Sequence, residues 1–464
     1  MTSMTRTFRN TSYMQSSLTL LLFFGSWGIW WSFFQIWLSN ELQFDGTEIG
    51  TIYSVNSLAT LAVMFVYGTL QDRLGTKRTL AIIASIGMAA TAPFFIFVYQ
   101  PLLENAFMIG VVVGAVVLSA GFMAAVGLFE ALAERFSRTY GFEYGQARMW
   151  GSFGYAIVAL LAGILFNIDP NLNFVLSSVL GVACLLIQLF WKLPPELSAT
   201  TERPVAGTTQ ATGTEPGPSD ATAGAVAAEL AEERAQPATP GFREMVGLLK
   251  LPALWAVIGV VLFTWTFYTV YDQQMFPGFY TGLFATQELG NQVYGVLNSA
   301  QVFLEAIMMG VIPILMRKIG VRNTLMLGIL VMSLRIFGSA VFTDPTVVSV
   351  IKMFHAIEVP LFILAIFRYF TLHFNSALSA TLYMVGFQIA SQVGNVVLST
   401  PLGALRDQLG FQPVFFLISG IVLVAGVIAF FILKRDDEDV FGDPLTEAVE
   451  VIKIKPAREE QTDA

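Results

Sequence analysis

Twelve runs of about 20 apolar residues punctuate this chain, and they restrict its fold more than any other feature. Hydrocarbon cannot hydrogen-bond a peptide group, so a run of this length crosses a membrane as a helix with its backbone bonds satisfied internally. The runs fall near residues 15–38, 49–70, 79–99, 105–132, 149–168 and 173–193, then 252–280, 291–316, 323–343, 346–370, 378–402 and 411–434. Only 12% of the residues are charged, against about a quarter in soluble proteins. The expected fold is an all-α integral membrane protein with twelve transmembrane helices in two six-helix bundles. The first run is long enough to span and lacks a small-residue cleavage site, so it reads as a helix that is retained.

Composition shifts divide the chain into four parts: a bundle at 1–194, a linker at 195–241, a second bundle at 242–435 and a tail at 436–464. The linker is rich in Thr, Ala, Gly, Pro and Glu and has too little apolar surface to bury. Lysine and arginine cluster on one side of the predicted spans, at Arg6, Arg9, Arg73, Lys77, Arg78, Arg135, Arg138, Arg317, Lys318 and Arg322. The alternate loops lack them, apart from Arg406. Both termini are therefore expected in the cytoplasm; the expected setting is a bacterial inner membrane. The acidic balance of −8 arises partly in the linker and tail and so says little about partners; no nucleic-acid partner is expected. The single cysteine, Cys184, excludes a disulfide framework within the chain, and two histidines leave little for a histidine-rich metal site.

The stretch 352–360, KMFHAIEVP, is the exception to this apolarity. Lys352, His355 and Glu358 follow at steps of three, which places them on one helical face. Ionisable groups within a membrane helix are costly and turn toward a bundle interior or a wet cavity. A histidine and a carboxyl in an apolar setting can change charge near neutral pH, which suits proton movement. The two halves also echo each other. GTLQDRLGTKR at 68–78 follows the second run, RKIGVRNTL at 317–325 follows the eighth, and a weaker GALRDQLG at 403–410 follows the eleventh. Parallel halves, each built of inverted three-helix repeats, are a common plan of secondary transporters, with the substrate near the midplane.

The 68–78 stretch resembles the loop signature of the major facilitator superfamily. Further stretches are similar to the oligosaccharide–proton symporters, the lactose and sucrose permeases: EYGQARMWGSFGY at 143–155, FYTVYDQQMFP at 267–277, LRI at 334–336, 352–360, and GFQIAS at 386–391. The resemblance implies a sugar site comprising Glu130, Arg148, Ser152, Tyr155, Glu305 and His355. An Arg–carboxylate pair can offer further hydrogen bonds to hydroxyls, and Tyr155 matches an aromatic on which a sugar ring stacks. A structural ion pair between helices is the alternative for Glu130 and Arg148. For proton coupling the resemblance implies Glu358 as carrier, with Arg335, His355, Asp272, Lys352 and Tyr268 around it, and with Asp272 paired to Lys352. Gly68, Asp72, Arg73 and Gly75 are expected to gate the conformational change. His373 reads as a solvated loop residue, and Trp30 and Trp31 as either cavity lining or packing.

Thr269 and Ser391 stand where lactose permease has a second aspartate–lysine pair, so both partners are missing together and no buried charge is stranded. With Val302 and Tyr155, this favours a sucrose-type sugar over lactose. The expected activity is import of a di- or oligosaccharide with a proton, driven by the proton gradient, without a cofactor or metal and as a functional monomer in membrane lipid. Proton-coupled export on the same fold is the alternative. A membrane enzyme would need a nucleophile–base pair that the sequence does not present, and without a GxxxxGK[ST] motif ATP-driven transport has no support.

Overall fold

A computed structural model describes residues 10–74, 76–192, 250–374 and 382–436, apart from the side chains of Asp72 and Arg73. The predicted linker at 195–241, Gly75, and the tail beyond 436 lie outside these residues. All regular secondary structure among the described residues is helical, in twelve successive segments. They are α1 (Thr11–Glu41), α2 (Gly46–Leu74), α3 (Thr79–Ala89 with Thr91–Asn105), α4 (Phe107–Tyr140), α5 (Tyr144–Ile168) and α6 (Asn171–Phe190). After the linker come α7 (Pro252–Thr281), α8 (Gln287–Ile319), α9 (Val321–Val341), α10 (Pro345–His373), α11 (382–409) and α12 (Phe411–Ile432).

Local chemistry explains many of the boundaries. Asn10 caps α1, its side chain accepting from the backbone of Ser12 and Tyr13. Gly141, at φ 69°, ends α4 in the left-handed region that disfavours a side chain. Gly320 (φ 88°) and Gly410 (φ 83°) make the corresponding turns after α8 and α11. The Ile319-Gly320 and Leu409-Gly410 pairs of the second-half echoes thus have a backbone cause. The third predicted span is not straight: α3 bends by 55° at Ala90. The tenth is interrupted at Phe354, between Pro345–Met353 and His355–His373.

Apolar faces turn outward along the spans, with Ile157, Leu160 and Ile164 of α5 and Val424, Val427 and Phe431 of α12 all exposed. In water such a surface would drive association; in a bilayer it is the lipid face. α11 is more polar than the other spans, because Ser391, Asn395 and Ser399 lie buried on it. The two halves meet through α2 against α11 and α5 against α8. Glycines make this approach possible. A Cβ on Gly46 would stand 2.5 Å from the Gly403 carbonyl, and one on Gly163 would stand 2.5 Å from that of Asn291. Polar contacts reinforce the same end. Asp407 accepts from the backbone N–H groups of Gly46 (2.6 Å) and Thr47 (2.8 Å), and Asn291 donates to Asn167 at 2.9 Å. The opposite end carries Arg135, Arg317 and Lys318, and there a Cβ on Gly68 would meet nothing within 4 Å.

Candidate functional site

The most concentrated chemistry surrounds Arg335 on α9, whose side chain is fully buried. α7 brings Asp272 to it on a widened π-turn, Tyr271–Met275, just before Pro277 opens the next helical turn. Such turns recur where a helix must re-aim a side chain. Arg335 reaches Glu358 Oε1 at 2.7 Å, Asp272 Oδ1 at 2.6 Å and the Tyr268 hydroxyl at 3.0 Å. The rings of Tyr271 and Phe276 flank the guanidinium, with centroids 5.3 and 5.2 Å from its carbon. One arginine thus compensates two carboxylates, the arrangement that keeps a buried charge cluster from being prohibitively costly.

Glu358 is fully buried, and its two oxygens differ: Oε1 is held by Arg335, whereas Oε2 has no hydrogen-bond partner among the described residues. A desolvated carboxylate oxygen without a donor is a place for a proton. His355 stands between this carboxyl and the cavity. Its Nδ1 lies 2.5 Å from the Tyr268 hydroxyl, 3.2 Å from Arg335, 3.3 Å from Asp272 and 3.8 Å from Glu358. Donors and acceptors therefore crowd one ring nitrogen, which joins the cavity wall to the Arg335 cluster.

A cavity of about 650 Å³, its open mouth included, lies beside this cluster between the halves. Asp272, Lys352 and His355 line it from the second half, and Trp31, Ser32 and Tyr155 from the first. The Tyr155 ring lies against α1 where Gly28 leaves room, since a Cβ there would be 2.7 Å from the ring. Its hydroxyl accepts from Ser32 at 3.2 Å. Glu130 of α4 and Arg148 of α5 form a pair at 2.5 Å, and Arg148 also donates to Ser152 at 3.4 Å. The guanidinium rests on Phe24, 4.2 Å from the ring centroid. Both partners of this pair are about a third exposed, at 30% and 32%, so they retain capacity for a ligand. Glu305 of α8 lies within electrostatic reach of Arg148 and of His355.

Two expectations need correction. Lys352 does not pair with Asp272, which is taken by Arg335; instead its Nζ donates to Gln301 Oε1 at 2.7 Å. Arg335 wins because its planar fork spans two carboxylates, which a lysine point charge cannot do. His373 is not a solvated loop residue. It ends α10, 1% exposed, with its ring 4.1 Å from that of Tyr369. Trp30 and Trp31 divide the two readings between them: Trp30 is packed among Phe34, Phe95 and Phe122, and Trp31 lines the cavity. Of the four gating positions, Gly68 is exposed, while Gly75 and the Asp72 and Arg73 side chains lie outside the described residues.

The structure also adds cavity residues that the sequence reading passed over: Gln35, Tyr53, Tyr294, Asn298 and Gln301. A signal for three of them was present. Tyr294, Asn298, Gln301 and Glu305 follow at steps of four, three and four, which is a single polar stripe along an apolar helix.

Comparison with known proteins agrees with this geometry. The family model for the LacY proton/sugar symporter matches residues 5–213 and 219–444. The chain is 40% identical to the sucrose permease of Escherichia coli, over 95% of this chain and 99% of that protein. It is 35% identical to the raffinose permease of Escherichia coli, covering 92% and 94% of the two chains. With the lactose permease of Klebsiella oxytoca the identity is 34%, covering 87% and 90%. Among solved structures, the nucleoside transporter NupG aligns with TM-score 0.71 at 14% identity, over 91% of this chain and 99% of that one. A D-xylose–proton symporter aligns with TM-score 0.60 at 13% identity, over 92% and 98%. At these identities the structures speak for the fold alone, a twelve-helix major facilitator architecture. Sequence identity across nearly the whole length decides the rest: the chain belongs to the LacY proton/sugar symporter family.

Proposed function

We propose that this protein imports a disaccharide, sucrose in first place, together with a proton, by alternating access of the cavity between its halves. The observation that carries the reading is Glu358, buried in full, with one oxygen on Arg335 and the other without a partner. Such a carboxyl can hold a proton away from water and release it when the Arg335 contact changes. His355 contacts both the cavity and this cluster, so a sugar that engages it alters the carrier's surroundings. Tyr155 offers a ring face, while Glu130, Arg148, Ser152 and Glu305 offer hydroxyl partners. Asp272 and Tyr268 hold Arg335 in place, and Lys352 presents a charge to the cavity.

The halves are joined at the end of α2 that carries Gly46, and at the lysine- and arginine-rich end a Cβ on Gly68 would meet nothing within 4 Å. With the basic end in the cytoplasm, this supports an inward-facing state. Substrate names among the relatives (sucrose, raffinose and lactose) favour a galactoside or sucrose-type ligand, and the 40% identity to the sucrose permease sets the order of trial.

The test uses de-energised cells in weak buffer, with external pH followed after a pulse of sucrose. Alkalinisation that vanishes in Glu358→Gln is expected. Alkalinisation that persists in this variant would remove Glu358 from the mechanism, and external acidification by a sugar would favour an exporter.

A further inference from the structure

Within the same cavity, one side chain has no role in anything described so far. Gln35 lies on α1, 2% exposed, and lines the cavity, yet neither its amide oxygen nor its amide nitrogen has a hydrogen-bond partner among the described residues. A buried amide without a partner is destabilising, and such groups call for an explanation. Its position is held open by the neighbouring helix. A Cβ on Gly278 of α7 would stand 3.0 and 3.1 Å from the amide nitrogen and oxygen.

The placement relative to Tyr155 is informative. Gln35 follows Gly28, on which the Tyr155 ring lies, by seven residues. That is about two turns along one face of α1, with Ser32, the donor to the Tyr155 hydroxyl, between them. Nearby in the cavity, Lys352 has one acceptor among the described residues, Gln301, for an ammonium group with three donors. An amide offers a donor and an acceptor side by side, matching two vicinal hydroxyls, each of which can accept or donate.

We propose that Gln35 binds a vicinal hydroxyl pair on the second ring of a disaccharide whose first ring lies on Tyr155, and so sets the preference for disaccharides over single sugars. This rests on the sugar-transport reading above and extends it to a residue outside the predicted set. A site that hydrogen-bonds a hydroxyl discriminates strongly against ligands lacking it.

The experiment measures equilibrium binding of sucrose, glucose and fructose to the purified full-length protein and to Gln35→Leu, a change of similar volume that removes both polar atoms. Losing two hydrogen bonds predicts sucrose affinity about tenfold to a hundredfold weaker, with monosaccharide affinity unchanged and thermal stability unchanged or raised. Deoxy-sucrose analogues lacking the contacted hydroxyls should bind worse than sucrose to the wild type and equally well to Gln35→Leu. Gly278→Ala, which displaces the amide without removing it, should give the same selective loss in smaller measure. Sucrose binding within twofold of wild type in Gln35→Leu, or an equal loss for all three sugars, would overturn the assignment while leaving the transport reading intact. A wild type that binds no disaccharide in a wider panel would overturn both.

Discussion

Arg335 is the position at which a single change has the most calculable consequence. Its side chain and that of Glu358 are both fully buried, 2.7 Å apart, and among the described residues Asp272 is the only other carboxylate on the guanidinium. Arg335→Met removes the cation and strands Glu358 among apolar neighbours, a loss of about 3–5 kcal/mol when one partner of a buried pair is deleted. Glu358→Gln alone costs less, about 1–3 kcal/mol, because Arg335 keeps Asp272 and an amide oxygen can still accept. In the double variant no charge is stranded at 358, and Asp272, 18% exposed, can turn to His355 at 3.3 Å. The double variant should therefore be more stable than the sum of the single losses by about 2–3 kcal/mol. Unfolding in mixed detergent micelles measures all four corners of the cycle. Additivity within about 0.5 kcal/mol, the scatter expected of independent sites, would refute the pairing as the source of the effect. The same variants have a transport signature. A proton-coupled carrier gains about 2.3 kcal/mol per charge at 100 mV, equivalent to about a 50-fold sugar ratio; Arg335→Met should lose this ratio, because the contact through which conformation acts on the Glu358 carboxyl is gone.

Glu358→Gln should likewise bring accumulation to a ratio of about one while exchange of sugar across the membrane continues, measured by counterflow in vesicles; loss of both would indicate a damaged sugar site instead. Gly50→Leu places a side chain where even a Cβ would overlap the Ser399 carbonyl, so it should separate α2 from α11. An introduced cysteine at Gln273, read against the fully buried Cys184, should then react faster with an impermeant maleimide from outside, and an unchanged rate would contradict a closed outer end. Asp407→Asn weakens a charged cap on the N-terminus of α2 worth about 1–2 kcal/mol, so it should shift the same labelling rate in the same direction by about 5–30-fold. Gln301→Leu leaves the 2%-exposed Lys352 without its acceptor and should lower stability by about 1–3 kcal/mol, a loss that Lys352→Met relieves.

The sequence by itself determined the architecture and the identity of the charged cluster. Runs long enough to span have one solution in hydrocarbon, and charges inside such runs are too costly to be incidental. Lys352, His355 and Glu358 could therefore be picked out from residue types and spacing alone. The partners of these groups were another matter. Asp272, Arg335 and Lys352 lie on three helices, and helical period says which face a residue occupies without saying which facing charge it meets. Only the packing of α7, α9 and α10 gave Arg335 both carboxylates and left Lys352 to Gln301. The burial of His373 was equally hidden, because it depends on the turn of α10 toward Tyr369. Gln35 shows the same limit most clearly. A lone glutamine in an apolar run has many possible neighbours, and its meaning came only when Gly278 on another helix left it buried, unpartnered and facing the cavity. Burial and hydrogen-bond satisfaction belong to the assembled helices, and no single helix contains that information.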